Sequence, residues 1–174
     1  RIGEKFYKTF FVVGYPRFVS PNWLEPLIDF DHSMNISMFC YPTMSSDVLD
    51  DLRRKIAEMQ ATLQQQEEDG KVLDPNVKAS LEDALTVQEE LAKGIERFFQ
   101  FSLYITLISD DLAELNDASK RLKTLLSSIL ILAKPATLQM EDGFKSTIPI
   151  GSDQLYLPSN MDTTSLASTF PFTS

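Results

Sequence analysis

The side chains able to do chemistry are few and far apart. The chain of 174 residues holds one histidine, His32, and one cysteine, Cys40. A zinc site needs several nitrogen, sulfur or carboxylate ligands on one frame, and these two residues do not supply one. His32 lies in DFDHSMN between Asp29 and Asp31, which reads as a turn histidine. With no second histidine, the plentiful serines lack a second choice of base for a nucleophilic triad. Cys40 lies in the apolar run SMFCYP, which predicts a buried, inert thiol. The adjacent acids Asp110-Asp111 and Glu89-Glu90 fall at a helix start or on a solvent face. Neighbouring helical residues point in different directions, so neither pair is built for acid–base work. The six glycines are scattered, and none opens a G-x-x-x-x-G-K phosphate loop. The expectation is a segment with no catalytic residue, no metal site and no cofactor of its own; a small hydrolase is the weakest reading.

The charge points instead to surfaces. Net charge is -9, and between Asp47 and Glu96 there are 13 acidic residues against 6 basic ones. No basic stripe runs along the chain to contact phosphates, which argues against direct nucleic-acid binding. FFQFSLYITLI and LLSSILIL fall short of the roughly 20 apolar residues of a spanning helix. RIGEKFYKTFF lacks the pattern of a signal peptide. One cysteine forms no internal disulfide and fits a reducing compartment, so a cytoplasmic protein is expected.

The elements that must position these residues follow from periodicity. FYKTFFVVGY, from Phe6 to Tyr15, reads as a strand closed by Gly14 and Pro16. A short helix follows, with Asn22 as its cap, Pro26 in its first turn and Trp23, Leu24, Leu27 and Ile28 as its apolar residues. Met34 to Pro42 is a second strand with Met34, Ile36, Met38 and Cys40 on one face. Met34, Met38 and Met44 are expected in a core rather than on an adaptable surface. Phe98 to Ser109 is the most apolar strand and belongs at the centre of a sheet. A helix capped by Ser109 or Asp110 carries Leu112, Leu115, Leu122, Leu126 and Ile129 and ends by Lys134-Pro135. AKPATL then makes an edge strand, Gln139 to Thr147 a short helix, SDQLYLPSN a loop, and Asp162 or Thr163 begins a last helix.

The clearest pattern is Asp47 to Ile95. Ser45 or Ser46 caps its first helix, and Leu49, Leu52, Ile56, Met59 and Leu63 repeat at steps of three and four. Gly70 ends that helix, Asp74 caps the next with Pro75 at its first position, and Val77, Leu81, Ala84, Gln88, Leu91 and Ile95 carry a matching stripe. Two such helices joined by a short polar loop predict an antiparallel hairpin with arms of roughly 30 Å at the helical rise per residue. Its tip residues Glu67, Glu68, Asp69 and Lys71 are the expected partner-binding group, suited to a basic or mixed-charge partner. The competing description is a solvated structural insertion.

The fold class expected is α/β (α+β): a small mixed sheet covered by helices, with the hairpin over residues 47–96 inserted between the second and third strands. A ferredoxin-like split β-α-β order is the first choice of topology. Residues 1–160 are expected to form this domain, and 161–174 to begin a connection to a further domain. The closing phrase DTTSLASTFPFTS stops just after Phe170, Pro171 and Phe172, an apolar group expected at a domain junction.

FYKTFFVVGYPRFVSPNWLEPLIDF, NISMFCYP, the charged helical insert, FFQFSLYITLIS, LLSSILILAKPATLQMEDGFKSTIPIG and MDTTSLASTFPFTS occur in an order with a known parallel. Together they resemble the amino-terminal domain of the conjugative-transfer and type IV secretion ATPases, the VirB-four, TraC, TrbE and CagE type. The resemblance spans nearly the whole chain but includes no catalytic signature. It implies a cytoplasmic, membrane-peripheral motor at the inner face of the bacterial membrane, transferring DNA or protein. This segment would be its non-catalytic docking and oligomerisation domain, meeting membrane-embedded and scaffold subunits of the channel. ATP and Mg would bind beyond Ser174. The alternative is a free-standing acidic scaffold or adaptor whose hairpin is its working surface.

Overall fold

The structure, a computed structural model, describes residues 1–16 and 19–170. Aromatic and β-branched residues form β1 (Phe6–Gly14), β2 (Met34–Pro42) and β3 (Phe98–Ser109). With β4 (Leu132–Pro135) the sheet order is β2-β3-β1-β4, and β5 (Ser159–Asp162) pairs with β3. β1 runs antiparallel to β3, Thr9 facing Thr106 and Phe10 facing Ile105, and antiparallel to β4, Phe11 facing Lys134.

This is the split β-α-β order expected, but the sheet is antiparallel rather than mixed. Each helical crossover links two strands that are not neighbours, and a strand from the other half fills the gap running the opposite way. Ser159 and Asn160, expected at the end of a loop, instead open β5, whose Met161 is buried.

The chain divides into two compact units: Arg1–Tyr41 with the chain from Phe99 onward, and Pro42–Phe98. In the first, α1 (Glu25–Ile28) and α4 (Leu112–Ser128) share a core with one face of the sheet. Phe10, Val12, Phe101, Leu103, Ile105 and Leu107 come from the strands at a spacing of two; Leu115, Leu122 and Leu126 come from α4 at helical spacing. Met34, Ile36 and Met38 pack against the same core as predicted. Met44 is exposed, beyond the end of β2.

Cys40 is exposed, not buried: β2 is an edge strand, and near its end the sulfur is only partly covered. That partial desolvation still pushes its thiol pKa up, so the thiolate is disfavoured. Asn22 is not a cap but adopts a left-handed turn at φ +67°, and α1 begins after Leu24 with Pro26 in its first turn.

α4 is capped by Asp111, one or two residues later than predicted, because its carboxylate accepts the Glu114 N–H at 3.0 Å. Ser109 donates its hydroxyl to the Glu114 carboxylate, and Leu112 is left half exposed in the first turn. The helix closes at Ile129, well before Pro135. The Leu130 N–H bonds Ser127 O and the Ile131 N–H bonds Leu126 O, a Schellman closure with Leu130 at φ +60°.

On the opposite face, α5 (Met140–Thr147) lies on β1. The approach is close: a Cβ on Gly143 would stand 2.8 Å from Thr9 Cγ2. Buried hydroxyls of Thr9, Thr106 and Thr147 form a chain with both links at 2.7 Å. α6 (Thr163–Ser168) is capped by Asp162, which accepts the Ser165 N–H.

The second unit is α2 (Ser45–Glu68) and α3 (Pro75–Ala92), which pack on one another. Ile56 and Leu91 are buried, and Leu49, Leu52, Met59, Leu63, Val77, Leu81, Ala84 and Gln88 are half-buried, as the stripes predict. Ser45 and Ser46 lie inside α2, whose N-cap is Met44 without a side-chain bond. Ile95 lies past the end of α3 and is exposed, because Gly94 at φ +70° has already turned the chain out of the helix.

Candidate functional site

The loop between α2 and α3 opens with a Schellman closure of α2. The Gly70 N–H bonds Glu67 O and the Lys71 N–H bonds Gln66 O, with Gly70 at φ +65°. The Gln66 side chain accepts the Asp74 N–H at 2.9 Å, so the loop is tied to the end of α2. Asp74 accepts the Asn76 N–H and Pro75 starts α3, as predicted.

This closure gathers Glu67, Glu68, Asp69 and Lys71 within one exposed turn. Lys71 Nζ pairs with Asp69 Oδ2 at 2.8 Å, and Gln64 donates to Glu68 Oε1 at 3.0 Å. Glu67 and Glu68 are left as the uncompensated charges of the turn. Such a group can attract a cation-bearing surface; exposed pairs of this kind add little to stability.

A second cluster, absent from the sequence reading, lies in the sheet unit. The Asp153 carboxylate accepts hydrogen bonds from Tyr104 OH at 2.8 Å, Tyr41 OH at 3.3 Å and the Tyr156 N–H at 2.8 Å. Tyr104 OH also accepts the Leu157 N–H at 3.1 Å, and Tyr156 OH donates to Gln100. Phe39 and Tyr41 stack, and the Tyr156 ring meets Tyr41 edge-on at 5.7 Å. Burial raises the Tyr104 pKa to about 12, and burial with the nearby Asp153 charge raises that of Tyr41. These phenols stay protonated near neutrality and act as hydrogen-bond donors, so the cluster clasps the 153–157 loop to the sheet. Its sequence signal was the alternation of Phe39 with Tyr41, and of Ser102 with Tyr104, off the main apolar face.

His32 occupies the bend before β2, its N–H bonded to Phe30 O and its ring edge-on to Phe30. Phe170 follows α6 and is exposed, while Pro171 and Phe172 lie outside the described residues. Among the described residues, no three His, Cys, Asp or Glu side chains gather where they could hold a metal ion, and no helix is long and apolar enough to cross a membrane. No protein-family model matches the chain, and no curated protein matches it.

Proposed function

We propose that this chain is the docking and oligomerisation domain of a conjugation or type IV secretion ATPase, itself without catalytic residues. In this reading α2 and α3 form an antiparallel hairpin arm that presents its acidic tip to another channel subunit. The single observation that carries it is the helical pair. It forms a compact unit of its own, apolar along one seam and acidic at an exposed tip. The order of strands, insert and closing phrase that underlies the family resemblance supports the same reading. ATP and Mg would bind downstream, and the place of work would be the cytoplasmic face of the bacterial inner membrane.

The test has two parts. In the parental gene, a G-x-x-x-x-G-K-[ST] loop between a strand and a helix is expected beyond the codon for Ser174; a prompt stop codon refutes the ATPase reading. In the full-length protein, combined Glu67→Lys, Glu68→Lys and Asp69→Lys should weaken capture of the membrane-embedded channel subunits by about tenfold or more, the size of losing about 1.4 kcal/mol. Unchanged capture with unchanged helicity removes the arm from the docking surface.

A further inference from the structure

We propose that the seam between β1 and α4 is a binding site for a phosphate-class oxyanion, held by Lys8, Lys120 and Lys123 with Asn116. A cavity of about 440 Å³ is lined by these four residues and Ser119. Asn116, Lys120 and Lys123 follow one flank of α4 at steps of four and three, so they point to the same side. Lys8 reaches them from β1, 108 positions away from Asn116 in the chain, with its Nζ 3.3 Å from Asn116 Oδ1.

What sets this place apart among the described residues is that three unpaired lysines line one cavity, whereas Lys55, Lys78 and Lys134, also outside any ion pair, do not line it. Elsewhere, Lys5, Arg53, Arg54, Lys71, Lys93, Arg121 and Lys145 each pair with an acidic side chain. Among the described residues, no acidic side chain lies within ion-pair distance of Lys8, Lys120 or Lys123. The acids nearest on α4 are engaged: Asp117 by Arg121 at 3.4 Å, and Glu114 by Ser109. Lys123 instead lies 5.8 Å from the centre of the Phe10 ring, which steadies its charge but leaves ammonium protons to donate. Three like charges around one concavity repel each other, in a chain whose net charge is -9, and a multivalent anion relieves that repulsion.

The chemistry of the donors selects the ligand. Ammonium groups are compact point charges that suit the several oxygens of a phosphate, whereas a lone carboxylate is matched best by the planar fork of arginine. None of the residues lining the cavity is aromatic, so its walls offer no stacking platform to a nucleobase. The site therefore takes the phosphate end of a ligand, whether a soluble phosphate ester or a phospholipid headgroup. This inference stands apart from the secretion reading.

The test is calorimetric titration of the full chain with pyrophosphate at low salt, alongside flotation with phosphatidylcholine vesicles with and without phosphatidic acid. Lys120→Gln with Lys123→Gln changes two exposed side chains and should weaken binding at least tenfold. Lys55→Gln with Lys78→Gln, on the helical unit, should leave it unchanged. Pyrophosphate binding without vesicle association assigns a soluble phosphate. Association with the phosphatidic acid vesicles, lost in the Lys120/Lys123 variant, assigns a lipid headgroup. Absence of both, or an equal loss in the Lys55/Lys78 control, overturns the proposal.

Discussion

Tyr104 occupies the middle of β3 with no exposed surface, and its hydroxyl is used twice, donating to Asp153 and accepting from the Leu157 N–H. Tyr104→Phe keeps the ring but orphans that N–H and one carboxylate lone pair. The expected cost is about 1–3 kcal/mol, read as a lower urea midpoint at neutral pH; an unchanged midpoint would show that the clasp does not hold the loop. The same phenol sets an alkaline limit. Its folded pKa is about 12 against an ordinary 10.0, and burial pushes Tyr15 up as well. The unfolded chain therefore loses these protons first. The stability they contribute is intact below about pH 10 and drains as pH rises through the folded values. Unfolding free energy should fall from about pH 10 towards 12, and less steeply in Tyr104→Phe. Identical slopes in the two proteins would contradict the assignment.

Two element-level choices are costly as they stand or hard to alter. α4 needs a left-handed residue to close, and Leu130 fills the place usually taken by glycine while 73% exposed. Leu130→Gly relieves a conformation costing about 1–2 kcal/mol but loosens the unfolded chain, so a net gain of about 0.5–1 kcal/mol is expected. A lower melting temperature would mean that the side chain packs more than its exposure indicates. α5 presents the opposite case. Alanine at Gly143 would improve helix propensity by about 1 kcal/mol. Yet its Cβ would meet Thr9 Cβ at 3.0 Å and Ala136 Cβ at 3.3 Å as well as Thr9 Cγ2. Overpacking costs about 1–3 kcal/mol, and Thr9 cannot swing away without breaking its bond to Thr106, so Gly143→Ala should destabilise. A neutral result would show that α5 can slide on β1.

Across the whole molecule the two compact units should respond separately to damage. Ile56 is buried in the helical unit, while Trp23, the single tryptophan, reports on the sheet unit. Ile56→Ala should remove about 2–5 kcal/mol from the helical pair. Helical circular dichroism should then be lost at lower denaturant than the Trp23 fluorescence change. Coincident transitions would mean that the units fold as one cooperative body. The charge is divided along the same line, most of the acidic excess falling between Asp47 and Glu96. Lys8, Lys120 and Lys123 belong to the other unit.

The sequence by itself determined what is periodic or local. The faces of β1, β2 and β3, the stripes of α2, α3 and α4, and the caps at Asp74 and Asp162 all depend on residues within a few positions of one another. So do the end of α2 at Gly70 and the exposure of Glu67 and Glu68 beside it. Tertiary structure alone decided what depends on which elements become neighbours. The antiparallel sheet follows from strand interleaving, and the pairing of SNMD required β3 to be in place. Cys40 is exposed because β2 lies at an edge. Asp153 found Tyr41 and Tyr104 across 112 and 49 residues, and Lys8 found α4 across 108. Periodicity is written inside each element, but contacts at such separations follow from how the elements dock, which no spacing along the chain records.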